Sequence, residues 1–299
     1  MIKKRIFLIG SNGMLGQRLS DFYYRQPKVE LLCASMEELS YMPKLQYQKI
    51  DITEKNEVKT IVNNFYPDVI INAAAYTNVD KSESEREAAW SVNVSAVEYM
   101  AQAAKAFDSH VIHISSDYIF DGTDGPYIEN DKPNPVGYYG RTKLASENVL
   151  KTSGINYSII RTNVLYGIAK FGRPDFVKWV VDSLKKGDQI NIVNDQINNP
   201  TYTEDLVFAV NRMAEFKKYG VFNIGGPEFL SRYEFTLRIA DFFRLDSSLI
   251  NEIVTSDLKQ PAARPLKSGL ITLKAETELG YKPHQLEETF KLMKNELNL

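Results

Sequence analysis

Tyr139 and Lys143 stand four residues apart in the stretch GYYGRTK (137–143). On a helix, residues i and i+4 share one face. A lysine held beside a tyrosine favours the phenolate. At ~5 Å and an effective dielectric of ~20 the interaction is ~3 kcal/mol, or ~2 units off a phenol pKa of ~10. Such a phenol is a competent proton donor. The same spacing recurs at Tyr24–Lys28 and Tyr166–Lys170 in a chain with 17 tyrosines, so spacing alone selects nothing. Pro27 interrupts the first of these pairs. The second begins with a Tyr-Gly step beyond a strand-like run, as in a loop. Only Tyr139 opens a helical pattern, with Pro135 and Gly137 at its entry. A hydroxyl to hold a substrate oxygen beside it is available at Ser115 or Ser116, at the end of the run SHVIHIS. Tyr138 is expected to pack against its surroundings instead.

A second group of residues has the chemistry of a phosphate cradle. GSNGMLG places Gly10, Gly13 and Gly16, with Asn12, Met14 and Leu15 between them, after the apolar run KRIFLI. A helix N-terminus reached through glycines suits a dinucleotide pyrophosphate. Gly10 permits the turn, Gly13 lets backbone approach phosphate, and Gly16 lets helix and strand pack closely. The spacing is G-x-x-G-x-x-G, not the standard G-x-G-x-x-G. The second strand ends in LLCAS without an acid, since Glu30 lies at its start. That removes a repulsion against a ribose 2′-phosphate, so NADPH is expected over NADH, which stays usable. Ser35 is the candidate phosphate contact. Asp51 and Ile52 would flank the adenine, although Asp51 serves equally well as a helix N-terminal residue. Ala73, Ala74 and Ala75 would let a flat cofactor lie across the strand ends.

These residues need a frame, and the pattern supplies one. Strand-like runs at 4–10, 29–33, 45–51, 68–74, 109–115 and 157–162 alternate with helical patterns at 14–25, 54–65, 87–107 and 138–152. Alternation of this kind predicts an α/β fold, a Rossmann-like doubly wound parallel sheet. Residues 1–165 are assigned to this cofactor-binding unit. Beyond it the regularity weakens and Gly/Pro/Asn-rich turns appear. Residues 166–299 are therefore expected to form a smaller, mainly substrate-binding domain, with parts of about 201–226 returning to the sheet.

At 43% hydrophobic and 25% charged, the 299-residue chain has an ordinary globular composition. A net charge of −2 leaves no electrostatic footprint for nucleic acid or an acidic membrane. No run approaches the ~20 apolar residues of a membrane span. The apolar part of MIKKRIFLIG stops at Gly10, too soon for a signal peptide, and a cytoplasmic location is expected. Cys33 is the single cysteine. The three histidines fit strand or surface positions, and no cluster has metal-ligand spacing, so no metal is expected.

Together these stretches resemble the extended branch of the short-chain dehydrogenase/reductase superfamily, and within it the dTDP-4-dehydrorhamnose reductase group. Further matching segments are PDVIINAAAYTNVDKSE, IHISSDYIFDG, IIRT, VNDQINNPTYTEDL and RYEF. The resemblance implies NAD(P)H-dependent reduction of a nucleotide-linked 4-keto sugar. It implies Ser116 as the carbonyl-binding hydroxyl, Tyr139 as proton donor, and Lys143 on the nicotinamide ribose. Asn93 would support this site, with Asp117 and Asn163 on the substrate side. Arg264, in RPLK, has a fork suited to phosphate oxygens. On the residues alone a solvated surface arginine is equally good, and the resemblance in ARP favours phosphate. The chain departs from the group at Asn163-Val164, where Ser-Trp is usual, and at Asn198, where glycine is usual. Those changes leave the sugar nucleotide open. Arg18 stands where some members place a magnesium-binding glutamate. An epimerase or dehydratase on the same scaffold, or a non-catalytic cofactor-binding subunit, are the alternatives; a homodimer is the candidate assembly.

Overall fold

The computed structural model describes residues 3–297. Seven strands form one sheet: β1 (Lys4–Ile9), β2 (Val29–Ser35), β3 (Tyr47–Lys49), β4 (Val69–Asn72), β5 (His110–Ser116), β6 (Tyr157–Thr162) and, far along the chain, β11 (Gly220–Asn223). Their order is β11-β6-β5-β4-β1-β2-β3, and every pairing is parallel. The order reverses between β1 and β4, the switch point where doubly wound sheets hold their ligands.

The central strands bury both faces, so alternate residues feed two separate cores. Ile6, Leu8, Ile71, Ile112 and Ile160 meet α1 (Met14–Tyr24), α7 (Thr203–Phe216) and α9 (Leu273–Leu279). Phe7, Ile9, Ile70, Val111 and Ile159 meet α2 (Lys55–Phe65), α4 (Ala96–Lys105) and α5 (Tyr138–Thr152). The fold class expected from the alternation is the one observed. The helix foreseen over 87–107 is a composite: α3 (Arg86–Trp90) runs through a π turn at Ser91–Ser95 into α4. One-turn π insertions concentrate at functional sites, and this one carries Asn93.

Beyond β6 come β7 (Leu165–Tyr166), α6 (Phe176–Lys185), β8 (Ile190–Val193), β9 (Ile197–Asn198) and β10 (Thr201–Tyr202). After β11 follow β12 (Leu230–Ser231), α8 (Arg232–Phe243), β13 (Ile250–Ile253) and α10 (Leu286–Leu297). The small strands pair two by two, β7 with β10, β9 with β12 and β8 with β13. A third core, with Tyr166, Val180, Phe235, Ile239 and Phe290, holds α6, α8 and α10 together. Ser231 caps α8 through a reciprocal capping box with Glu234.

Candidate functional site

One cleft of about 1110 Å³ lies along the C-terminal ends of the sheet. That exceeds the ~300–1,000 Å³ of an ordinary small-molecule site and leaves room for a dinucleotide beside a second ligand. Of the residues singled out above, Gly10, Asn12, Gly13, Met14, Leu15, Ser35, Asp51, Ile52 and Ala73–Ala75 line one end of it. Ser116, Asp117, Tyr139, Lys143 and Asn163 line the other. Gly16, Asn93 and Arg264 are outside the lining.

At the first end the loop is built for a phosphate. Gly10 has φ +81, and a Cβ there would lie 2.6 Å from the Ala74 nitrogen. At Gly16 a Cβ would lie 2.0 Å from the Gly10 carbonyl oxygen, so this glycine serves the close packing of helix on strand. Gly13 is the N-cap of α1, and no side chain caps the helix. The first-turn N–H groups therefore face the cleft without a side-chain acceptor, as an anion requires. These residues fit a dinucleotide.

Asn12 fixes the neighbouring loop: its Nδ2 donates to Glu37 Oε2 at 3.1 Å and to the Leu39 carbonyl at 2.9 Å. Glu37 is a lining residue that the sequence reading missed. The acid was sought within the second strand, whereas Glu37 lies two residues past its end. Glu30, the acid considered, pairs with Arg5 at the opposite end of that strand.

At the other end, β5 delivers Ser116 and the first two turns of α5 deliver Tyr139 and Lys143. The Ser115 hydroxyl is spent on Glu147 Oε1 at 2.7 Å. Ser116 Oγ donates to Asp117 Oδ1 at 3.0 Å and accepts from the Tyr118 N–H at 3.2 Å. Tyr118 meets the Tyr139 ring edge to face, with centroids 5.5 Å apart.

The electrostatics correct one expectation. Burial, then the Asp117 charge and Tyr118, push the Tyr139 hydroxyl above its ordinary pKa, and a hydrogen bond with Ser116 opposes this only in part. Lys143 is not among the groups acting on it. The Lys143 ammonium donates instead to the Ile114 carbonyl at 2.6 Å, and burial pulls it down to about 8. In the protein alone the lysine does not lower the phenol pKa, because β5 holds its charge and the pocket desolvates both groups. Burial also raises Asp117, to about 6, against hydrogen bonds from Ser268 and Ser116.

The rival pairs separate clearly. Tyr24 is exposed at the end of α1. Tyr166 is buried with its hydroxyl 3.0 Å from Thr289 Oγ1, and Lys170 pairs with Asp21. Tyr138 lies under the Arg86 guanidinium, 5.1 Å from its ring centroid.

Behind the cleft, Asn93 joins two of its walls. Its Oδ1 accepts from the Tyr76 N–H at 2.8 Å, and its Nδ2 donates to the Tyr76 carbonyl at 3.2 Å and to Thr142 Oγ1 at 2.9 Å. The loop after β4 is thereby tied to the helix that carries Tyr139 and Lys143. His113, read above only as a strand or surface residue, bridges in the same way. Its Nδ1 is 3.1 Å from Asn72 Nδ2 and its Nε2 is 2.9 Å from Ser146 Oγ. Burial, then the Lys143 charge, keep this imidazole neutral, well below its usual pKa.

The model of the RmlD substrate binding domain matches residues 4–299. The chain belongs to this family. It is 34% identical to the dTDP-4-dehydrorhamnose reductase of Aggregatibacter actinomycetemcomitans over 96% of this chain and 97% of the relative. It is 30% identical to methionine adenosyltransferase 2 subunit beta of Bos taurus over 92% of this chain and 82% of that one. The crystal structure of dTDP-4-dehydrorhamnose reductase from Bacillus anthracis in complex with NADP superposes with a TM-score of 0.84, at 29% identity, covering 99% of this chain and 100% of that chain.

In this member of the RmlD family three positions singled out in the sequence are engaged by protein partners. Asn163 is turned inward, its Nδ2 donating to Asn199 Oδ1 at 2.9 Å. It braces the turn where Val164 takes a φ of 35, and presents little beyond its edge to the cleft. Arg264 grips Asp80 with both terminal nitrogens, at 2.9 and 2.7 Å, and donates to the Ala262 carbonyl at 2.6 Å. That fork, expected on phosphate, is occupied by protein acceptors. Arg18 is paired with Glu204 and Glu296, which joins α1 to α7 and α10.

Proposed function

We propose that this chain reduces the 4-keto group of a nucleotide-linked deoxysugar with NADPH, converting dTDP-4-dehydrorhamnose to dTDP-L-rhamnose. The observation that carries the reading is the convergence of Ser116, Tyr139 and Lys143 on the cleft that the glycine loop opens. The nicotinamide cofactor supplies the hydride. Gly13 to Leu15 would hold its pyrophosphate, Ser35 its adenosine ribose and Lys143 its nicotinamide ribose. On the substrate side the Ser116 hydroxyl turns from Asp117 to the 4-keto oxygen. Tyr139 then gives that oxygen its proton, and its raised pKa guarantees that the proton is present at neutral pH.

Among the relatives, the subunit of methionine adenosyltransferase marks the non-catalytic alternative. A subunit of that kind needs no proton donor, and an intact Ser116–Tyr139 pair argues for turnover. Purified protein given dTDP-4-dehydrorhamnose should oxidise NADPH with formation of dTDP-L-rhamnose. Binding of NADPH without turnover of any 4-keto sugar nucleotide would replace this reading by the non-catalytic one. Interconversion of sugars without net NADPH consumption would favour the epimerase.

NADPH should exceed NADH in kcat/KM by only ~10-fold, since one charge-assisted hydrogen bond is worth ~1.5–3 kcal/mol. Among the described residues the cleft lining carries one arginine, Arg173, and the Glu37 carboxylate opposes the extra phosphate. A strong NADH preference in steady-state kinetics would contradict this cofactor assignment. Lys143→Met should both weaken NADPH binding and lower kcat, each by about 10-fold or more. An unchanged NADPH Kd by fluorescence titration would remove Lys143 from the ribose.

A further inference from the structure

Arg232 is the first residue of α8, directly behind the Ser231 cap. Its guanidinium lies over the Phe176 ring, 5.2 Å from the centroid. Phe176 follows Asp175, a lining residue of the cleft. Asp117, also in the lining, and Arg264 are the groups whose charges act on Arg232. Among the described residues, none accepts a hydrogen bond from this guanidinium or forms an ion pair with it.

Its neighbours explain why. Both Asp117 oxygens are held by the hydroxyls of Ser116 and Ser268. Asp80 is bound by both terminal nitrogens of Arg264. Two arginines thus lie close together with one carboxylate neutralising one of them. Burial and the second cation both disfavour the Arg232 charge, yet arginine cannot shed its proton. A desolvated cation without a partner costs stability. Across the β9–β12 pair, Asn198 faces Leu230, and its buried Oδ1 has no donor among the described residues. An unanswered cation at the start of α8 therefore follows directly on the strand that pairs with the one carrying this unanswered acceptor.

We propose that Arg232, stacked on Phe176 behind the cleft residue Asp175, binds a phosphate oxygen of the nucleotide-linked substrate. This rests on the nucleotide-sugar reading above. It assigns anion recognition to a residue without an ion pair among the described residues, while Arg264 is held by Asp80. Stacking on Phe176 holds the planar fork in one orientation, which suits phosphate recognition.

The test is calorimetric binding of dTDP, thymidine and NADPH to the full chain and to Arg232→Leu and Arg232→Lys. Arg232→Leu should bind dTDP at least ~10-fold more weakly and raise the sugar-nucleotide KM by a similar factor. Thymidine and NADPH affinities should be unchanged. The melting temperature of the ligand-free protein should not fall, because the half-buried guanidinium gives up no hydrogen bond or ion pair among the described residues. Unchanged dTDP affinity in Arg232→Leu, or a lowered melting temperature with normal KM, overturns the assignment and leaves the reductase reading standing. Should the leucine variant not fold, Arg232→Lys decides: it keeps the charge and loses the fork, so equal dTDP affinity overturns the assignment. Wild-type protein that binds NADPH, yet neither binds dTDP nor turns over the sugar nucleotide, removes both readings.

Discussion

Tyr139→Phe is expected to lower kcat at least ~100-fold, the usual scale for loss of a general acid. The change removes one oxygen. The ring keeps its edge-to-face contact with Tyr118, and the N-terminal turn of α5 keeps its form. NADPH affinity and the melting temperature should therefore stay near those of the wild type, which separates a chemical role from a structural one. Tyr24→Phe should be silent, because that side chain is exposed. Tyr166→Phe should lose a little stability through Thr289 and no chemistry. Burial and the Asp117 charge hold the Tyr139 pKa above its usual value, so the phenol is protonated throughout the neutral range. Its deprotonation should not lower the rate between pH 6 and about 8; a fall near the lower end would point to Asp117, raised to about 6, and one near the upper end to Lys143, pulled down to about 8. Near-normal turnover by Tyr139→Phe would sink the assignment of the proton donor.

What the sequence disclosed about this site was local. A strand, a glycine turn and a helix are contiguous, so the phosphate cradle at Gly10–Gly16 can be read from one stretch. Tyr139 and Lys143 belong to one helix, so their shared face follows from spacing. What stayed hidden depends on partners far away in the chain. The fate of the Lys143 charge is set by the Ile114 carbonyl, in a strand 29 residues earlier. Arg264 finds Asp80 across 184 residues. The second unit gave little periodicity, because strands such as β9 and β12 have two residues each. The RYEF stretch resembles the family in sequence, but the stacking of Arg232 on Phe176, 56 residues earlier, follows only from the fold. Even the π turn at Asn93 is invisible in an Ala-rich pattern that reads as one helix.

Glu147→Leu is expected to cost about 3–5 kcal/mol of stability, the scale for removing one partner of a buried ion pair. Glu147 is fully buried. Arg161 donates to it twice, from Nε at 3.0 Å and Nη2 at 2.8 Å, and Lys151 adds a third contact at 3.0 Å. Leucine would strand the Arg161 guanidinium, itself buried, with the Glu129 carbonyl and the Phe120 ring as its remaining neighbours. At roughly 2 °C per kcal/mol for a chain of this size, the melting temperature should fall by about 6–10 °C. Arg161→Met should cost less, because Lys151 still answers the carboxylate. The double variant should lose less than the two single losses added together, as residues in contact do. Burial raises the Glu147 pKa, but Arg161 and Lys151 outweigh it and leave the carboxyl below its usual value. A depressed folded-state pKa contributes stability above the unfolded value of ~4.3, and that stability is lost as pH falls through the folded value. Wild-type and Glu147→Leu stabilities should therefore converge in acid below about pH 4. The consequence reaches the cleft, since Glu147 also holds Ser115, next to Ser116, against the helix that carries Tyr139. A loss under ~1 kcal/mol in urea unfolding would show that this network does not hold β5 to α5.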